Sequence, residues 1–235
     1  MNNMKNNGLQ ELKESLTHKR LILLGEIHGA EVNTKIIARL VSELKIRIIM
    51  LELEKKWSSS LSTLKKKKYI SLIDLFKKEQ WIFESGLLGK KHLILFRRFL
   101  LNGKEIIPVK TENKIWNNAE KLTANNVDKI LKNTAGTAIL IMGNLHTRKK
   151  TFFMKEKGKK KKYIPLGSYL NSRAVSVCIR YGKGEAFNFR PIILKDKEAY
   201  NSGTALGILR KSRSKFYDFD YLVKSTKPIS RISKG

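Results

Sequence analysis

Carboxylate and imidazole side chains follow closely on apolar segments of this 235-residue sequence. Glu26 and His28 come after the run RLILLG, and Glu52 and Glu54 lie at the end of IRIIMLELE. His146 follows a third apolar run, GTAILIM, within the segment GNLH. Because residues two apart in an extended chain share a face, Glu26 is expected to pair with His28. The same spacing predicts a pair of Glu52 and Glu54.

These side-chain types support two kinds of chemistry. Carboxylates and imidazoles can hold or activate water for attack on an ester or amide. The candidate catalytic residues are Glu26, His28, Glu52, Glu54 and His146. The same types also bind divalent metals, and the candidate metal ligands are Glu26, His28, Glu52 and His146. No G-x-S-x-G motif indicates a serine hydrolase, and Cys178 lies in an apolar run that is typical of a buried structural thiol.

Apolar periodicity predicts the elements that position these residues. Continuous apolar runs predict buried strands at residues 20–25, 46–53, 105–109 and 136–142. Helical spacing predicts helices at residues 31–44, around 93–100 and at 119–131, after a short leading helix at Leu9, Leu12 and Leu16. This alternation predicts an α/β fold with a mostly parallel sheet and helices on both faces. Parallel strands end at one edge of the sheet, which is where open α/β sheets bind their ligands.

The C-terminal part of the chain is predicted to add strands to this sheet. Residues 174–181, 185–189 and 215–223 have strand character, and the first two are expected to pair antiparallel across residues 182–184. No linker divides the chain. A single domain is therefore predicted over residues 1–235, with a core at about residues 18–190 and an extension at residues 191–235 packed on it.

The charge of the sequence is strongly positive, because 49 Lys and Arg against 20 Asp and Glu give a formal net charge of +29. Lysine runs occupy residues 65–68, predicted on a helix in an insertion, and residues 159–162, predicted in a loop or frayed helix. The electrostatic field of this positive charge attracts nucleic acid, anionic membrane surfaces and acidic ligands without selecting among them.

Two explanations of the charge stay open. The first is an alternative function, in which the protein binds nucleic acid through its basic residues and uses the fold as a scaffold. The second is a compositional bias of the source genome. Aromatic residues near the lysine runs would supply stacking for nucleic acid. They are Tyr69, Trp81, Phe152 and Phe153.

The sequence also predicts a cellular location. Residues 1–16 are polar and lack the apolar core of a signal peptide, and no run reaches the roughly 18 apolar residues of a transmembrane helix. A cytoplasmic protein is therefore expected. With Cys178 as its single cysteine, the chain forms no intramolecular disulfide.

Four segments of the sequence resemble a known superfamily. They are LLGEIHG, IIMLELE, IMGNLH and YIPLGSYL at residues 163–170. Together they resemble the superfamily of ChaN-like haem-binding uptake proteins, erythromycin esterases and Tiki/TraB proteases, and most of all its ChaN-like branch. The likeness covers roughly residues 18–180.

The resemblance implies the fold predicted above and a function for the site. Glu26, His28 and His146 would be site residues, with Glu52 or Glu54 as the acid of the second strand. It implies haem or iron binding, with His28, His146, Tyr163 and Tyr169 as candidate cofactor ligands, or hydrolysis of the esterase or Tiki type.

The sequence departs from the superfamily at two points. The lipid-anchor cysteine of ChaN-like lipoproteins is missing. The arginine that members place in the site has no clear counterpart, although Arg39, Arg97 and Arg98 are possible. A degenerate member that kept the fold without its activity is therefore a further alternative.

Overall fold

The computed structural model describes residues 7–66, 81–113, 115–205 and 207–229, without the side chains of Trp81 and Phe83. Its helices are α1 (Asn7–Leu16), α2 (Val32–Glu43), α3 (Ser58–Thr63), α4 (Trp81–Glu84), α5 (Lys90–Leu101), α6 (Trp116–Lys132), α7 (Leu166–Tyr169) and α8 (Lys197–Ser202). Its strands are β1 (Leu21–Glu26), β2 (Ile48–Glu54), β3 (Glu105–Lys110), β4 (Ala138–Gly143), β5 (Phe152–Glu156), β6 (Lys159–Tyr163), β7 (Ala174–Asn188), β8 (Arg190–Lys195), β9 (Ile208–Lys211) and β10 (Phe219–Thr226).

The main sheet is mostly parallel, which confirms the predicted α/β class. Its strand order is β3-β2-β4-β1-β7-β10-β9, and β8 also pairs with β7. The pairs from β3 through to β10 are parallel, whereas β9 and β8 pair antiparallel with β10 and β7. Parallel strands bury both faces, which explains why their sequences are continuously apolar.

Successive residues of β1 pack into two different cores, one on each face of the sheet. Ile22 and Leu24 lie in a core that α2 and α5 cover. Leu21 and Leu23 lie in a second core, which α6 covers. Side chains alternate between the faces of a strand, so the continuous apolar run fills both cores. This packing fixes β1 as a central strand of the sheet. Its C-terminal end lies at the edge that the C-terminal ends of the parallel strands form together.

One strand replaces the antiparallel pair predicted across residues 182–184. β7 runs unbroken through this glycine-rich segment, and its antiparallel partner β8 follows a turn at Phe189, whose φ is 55°. The glycines have a different role from the predicted turn. A Cβ on Gly182 would collide with the backbone of Tyr200, and one on Gly184 would collide with the backbone of Thr226. They allow neighbouring backbone to approach β7 closely.

The second lysine run forms a strand, so the prediction of a loop or frayed helix is wrong. β5 and β6 pair antiparallel as a separate two-stranded sheet. Lys157 and Gly158 connect them with φ values of 49° and 79°, the left-handed conformation that tight hairpin turns require. In the first run, Lys67 and Lys68 lie outside the described residues, as does Tyr69. Over the described ranges, no helix has the length and apolar character needed to cross a membrane.

Candidate functional site

Three neighbouring strands bring the predicted site residues to one edge of the sheet. Glu26 is the last residue of β1, Glu52 lies near the end of β2, and His146 follows β4. β4 lies between β1 and β2, so the residues that follow these strands meet at their C-terminal ends. His28 lies just beyond β1 in the loop that leads to α2.

Glu52 lies at the centre of the site and is 4% exposed. Its Oε2 accepts a hydrogen bond of 2.8 Å from the backbone N–H of Gly143 and lies 3.5 Å from Nε2 of His28. Its Oε1 accepts a hydrogen bond of 3.0 Å from Nζ of Lys110 and lies 3.4 Å from Nε2 of His146. Four nitrogen groups therefore surround one buried carboxylate.

Each imidazole has a second carboxylate behind it. Nδ1 of His28 lies 3.0 Å from Oε1 of Glu26, and Nδ1 of His146 lies 2.7 Å from Oε1 of Glu120. The other oxygen of Glu120 accepts a hydrogen bond of 2.8 Å from the backbone N–H of Leu166. These contacts fix both rings so that each Nε2 faces Glu52. Two carboxylate–imidazole pairs thus converge on a third carboxylate.

A hydrogen-bonded clamp holds the loop that carries His28. The backbone N–H of Ile27 donates to the hydroxyl of Tyr181 at 3.2 Å, and that hydroxyl donates to Oδ1 of Asn33 at 2.6 Å. Nδ2 of Asn33 then donates back to the carbonyl of Ile27 at 3.0 Å. Tyr181 and Asn33 are buried, so the clamp fixes the loop backbone from the protein interior.

Aromatic rings pack beside His146. Trp116, the first residue of α6, stacks on the His146 ring with a centroid distance of 5.4 Å and an interplanar angle of 21°. Phe152 and Tyr163 are each in a T-shaped arrangement with the same tryptophan, at centroid distances of 6.2 and 5.2 Å. The base of the β5–β6 hairpin is therefore attached to the site through Trp116.

The electrostatics of the cluster favour two protonated imidazoles around an ionised Glu52. Burial lowers the pKa of His28, but hydrogen bonds to Glu26 and Glu52 outweigh burial and raise it to about 10. Burial also lowers the pKa of His146, but the charge of Glu52 and the hydrogen bond to Glu120 raise it overall. Burial raises the pKa of Glu52, yet the charge of His146 and the hydrogen bond from His28 hold it well below its usual range.

We expect NMR titration to show opposite behaviour for two buried histidines. The ring of His28 should stay protonated as the pH rises towards its pKa of about 10. His92 should stay neutral down to a pH of about 4, because burial and the nearby charge of His28 lower its pKa. Nitrogen chemical shifts of the two rings distinguish the forms. A His28 ring that loses its proton near pH 6.5 would contradict the charge assignment.

Glu26 has one unpaired oxygen beside a small internal cavity. Oε2 of Glu26 is buried and hydrogen-bonds to none of the described residues. Glu26, Glu52 and His92 line a cavity of about 10 Å³ together with apolar side chains, which is about the smallest space that holds one water molecule. Burial is also the main cause that raises the pKa of the Glu26 carboxyl.

The structure separates Glu54 from the other predicted site residues. Oε2 of Glu54 forms an ion pair of 2.7 Å with Lys56. The register between β2 and β3 shifts between Leu51 and Glu54, and the carboxylate of Glu54 contacts Lys56 instead of the imidazoles. Of the two acids, Glu52 is the one that contacts the imidazoles.

The two predicted tyrosines lie outside the contacts around Glu52. The hydroxyl of Tyr163 donates to Glu156 at 3.1 Å, so only its ring reaches Trp116. Tyr169 is 39% exposed, and burial with the nearby charge of Glu120 raises its pKa.

The cation beside Glu52 is a lysine rather than one of the three candidate arginines. Arg39 bonds to Glu43 and to the hydroxyl of Tyr221. Across the ranges that the structure describes, neither Arg97 nor Arg98 forms an ion pair with a carboxylate of the cluster. The cation paired with Glu52 is Lys110.

Sequence reasoning missed two charged residues of the site. Glu120 is an acid on the apolar face of α6, in helical register with Ala124 and Val127, and it is 3% exposed. A buried acid on an apolar helix face is unusual, and that signal could have revealed it. Lys110 is the last residue of β3, so the strand-end argument applied to the other strands would have included it.

The cluster as it stands does not fit a metal ion or haem iron. In the parts of the chain that the structure describes, no group of three or more His, Cys, Asp or Glu side chains is arranged to hold a metal. Metal ligation requires a neutral imidazole with a free nitrogen. Here both nitrogens of His28 and of His146 face carboxylates, so neither ring has a free nitrogen for a metal.

Solved structures share this fold at low sequence identity. A point variant of the erythromycin esterase EreC, in its open conformation, matches with a TM-score of 0.69 at 10% identity, over 97% of this chain and 96% of that chain. A protein from Bacillus cereus matches with a TM-score of 0.56 at 12% identity, over 96% and 93%. A succinoglycan biosynthesis protein matches with a TM-score of 0.55 at 10% identity, over 98% and 94%.

These matches confirm the predicted resemblance at the level of the fold. ChaN of Campylobacter jejuni, described with cofacial haem, matches with a TM-score of 0.46 at 14% identity, which is too distant to support haem binding here. No protein-family model and no curated protein matches the sequence.

Proposed function

We propose that this protein hydrolyses carboxylic esters or amides at the Glu52 cluster. The observation that carries the proposal is the convergence of two imidazole Nε2 atoms on one buried carboxylate, each ring oriented from behind by a carboxylate of its own. Groups that give and take protons are thereby held within reach of one another. The fold of the erythromycin esterase is consistent with this activity.

Glu52 accepts a proton in this scheme once His28 and His146 share their Nε2 protons with the substrate, because the charges of these two rings otherwise hold the pKa of Glu52 well below its usual range. A water molecule at its carboxylate gives up a proton to Glu52 as the water oxygen forms a bond to the substrate carbonyl carbon. The protonated rings of His28 and His146 stabilise the negative charge that develops on the carbonyl oxygen. One ring then donates its Nε2 proton to the leaving alcohol or amine as the bond to the carbonyl carbon breaks. Glu52 afterwards returns its proton to that ring.

The long contacts between the Nε2 atoms and Glu52 lower the free-energy cost of passing an Nε2 proton to a substrate. Nε2 of His28 and of His146 lie 3.5 and 3.4 Å from Glu52, beyond the usual 2.7–3.2 Å of a strong N–H···O hydrogen bond. Lys110 and the N–H of Gly143 make the short contacts instead. Glu52 therefore stays held in place when an Nε2 proton is shared with a substrate.

This assignment predicts an unusual pH profile for hydrolysis. Activity should stay level through the range near pH 6.5 where an ordinary histidine base gains function, because the rings act in their protonated form. It should fall as the pH rises towards the pKa of His28, about 10, where that proton donor is lost. A kcat/KM that rises steeply between about pH 6 and 8 would show that a neutral histidine is the base and that our roles are wrong.

Purified protein assayed on p-nitrophenyl esters, lactones and anilides of graded size tests the proposal itself. We expect turnover of at least one class, unchanged by a chelator, because the proton transfers use side chains alone. Turnover that a chelator abolishes and a divalent metal restores would overturn the proposed chemistry. So would the lack of turnover across the whole panel together with a haem complex whose absorption depends on His28.

A further inference from the structure

The β5–β6 hairpin carries the lysine run of residues 159–162 on an ordered two-stranded sheet. Residues directly opposite each other on paired strands point to the same face. Phe153 lies opposite Lys162, and Lys155 lies opposite Lys160. These four residues share one face, which we call the lysine face.

The lysine face is cationic without an acid on it. Lys155, Lys160 and Lys162 are exposed and form no ion pair with the other residues that the structure describes. The acid of the hairpin, Glu156, lies on the opposite face, where Lys161 binds it at 2.7 Å. The positive charge of the lysine face is therefore available to an anionic partner.

An exposed aromatic ring lies among these lysines. Phe153 is 55% exposed, which is high for a phenylalanine. Nζ of Lys160 lies 4.7 Å from the centre of its ring. An aromatic ring surrounded by cations is the combination that binds single strands, because phosphates pair with the cations and an unpaired base stacks on the ring.

The hairpin is anchored at its base. Phe152 and Tyr163 are buried there and contact Trp116. Nδ2 of Asn117 donates to the carbonyl of Lys162 at 3.3 Å, and the N–H of Ile164 donates to Oδ1 of the same Asn117 at 2.9 Å. These contacts hold the lysine face in a fixed orientation relative to the rest of the protein.

We propose that the lysine face binds single-stranded nucleic acid. A lipid surface fits the hairpin less well, because its turn is charged and exposed at Glu156, Lys157 and Lys159, and insertion into a bilayer needs apolar residues there. Phe153 lies near the base of the hairpin, beside Phe152, and cannot lead such an insertion. This surface is separate from the Glu52 cluster and does not depend on hydrolysis there.

Fluorescence anisotropy with a labelled oligothymidylate tests the proposal. We compare the triple variant Lys155→Gln, Lys160→Gln and Lys162→Gln with the control triple Lys35→Gln, Lys129→Gln and Lys195→Gln. The control lysines are exposed on α2, α6 and β8, and both triples lower the formal net charge by three, from +29 to +26. Circular dichroism checks that both variants fold.

The lysine-face variant should lose at least about tenfold in affinity near physiological salt, and the slope of log K against log salt should flatten by about 2. The control triple should lose less than about threefold, because long-range charge alone is screened at this salt. Phe153→Ala should weaken binding by about tenfold through lost stacking. Equal losses in both triples would show that net charge, rather than this face, binds the strand.

Three further results would also overturn the proposal. One is an unchanged affinity of Phe153→Ala, and another is binding of a double-stranded form of the oligonucleotide as tight as that of the single strand, since either would remove the role of base stacking. The third is binding to phosphatidylserine vesicles that depends on the lysine face, with no binding to the oligonucleotide. That result would identify the partner as a membrane.

Discussion

Glu52→Gln is expected to lower kcat of ester or amide hydrolysis by about 10³-fold, because a neutral amide cannot accept the proton of water. The substitution preserves the size of the side chain, and its amide oxygen can still accept the hydrogen bond from Gly143. It removes the buried negative charge shared by His28 and His146. The pKa of both imidazoles should therefore fall, which NMR titration of the variant would detect.

Glu54→Gln is the matched control for this variant. Glu54 lies two residues further along the same strand and pairs with the half-exposed Lys56, outside the contacts around Glu52. We expect kcat to stay within about twofold of the parent. Thermal unfolding should show that both variants fold. Equal losses of activity in the two variants, or full activity in Glu52→Gln, would contradict the central role of Glu52.

His146→Ala is expected to lower kcat by about 10²- to 10³-fold, since it removes one of the two proton donors at the carbonyl.

Glu120 contacts His146 rather than Glu52, so we assign it as a positioning residue. Glu120→Gln should lower kcat by at least about tenfold in the parent, because it releases the ring and weakens the protonated form. It should lower the pKa of His146 as well, which a structural role alone would not do.

The double variant decides whether Glu120 acts through His146. If it does, adding Glu120→Gln to His146→Ala should change kcat by less than about twofold, because the ring that Glu120 positions is already gone. Effects that multiply instead would mean that Glu120 acts on its own, for example by holding Leu166 and α7 through its second oxygen. The KM of each variant separates loss of binding from loss of chemistry.

Apolar periodicity in the sequence determined the parallel core of the fold. The strands β1 to β4 and the helices α2, α5 and α6 follow the predicted segments to within a few residues, because a strand buried on both faces must be apolar throughout. The same argument placed Glu26, His28, Glu52 and His146 together, since parallel strands expose their C-terminal ends at one edge. The structure brings these four side chains together at that edge.

Tertiary structure alone decided which acid faces which ring. Glu54 pairs with Lys56 instead of an imidazole, although it lies on the same strand as Glu52 and only two residues away. Glu120 and Lys110 reach the site from α6 and β3, and contacts between residues this far apart in sequence arise only when the sheet and helices pack. Gly182 and Gly184 predicted a turn, but the close approach of other backbone explains them. A glycine in the sequence indicates that a side chain would not be tolerated, but it does not distinguish a turn from the close approach of another backbone segment.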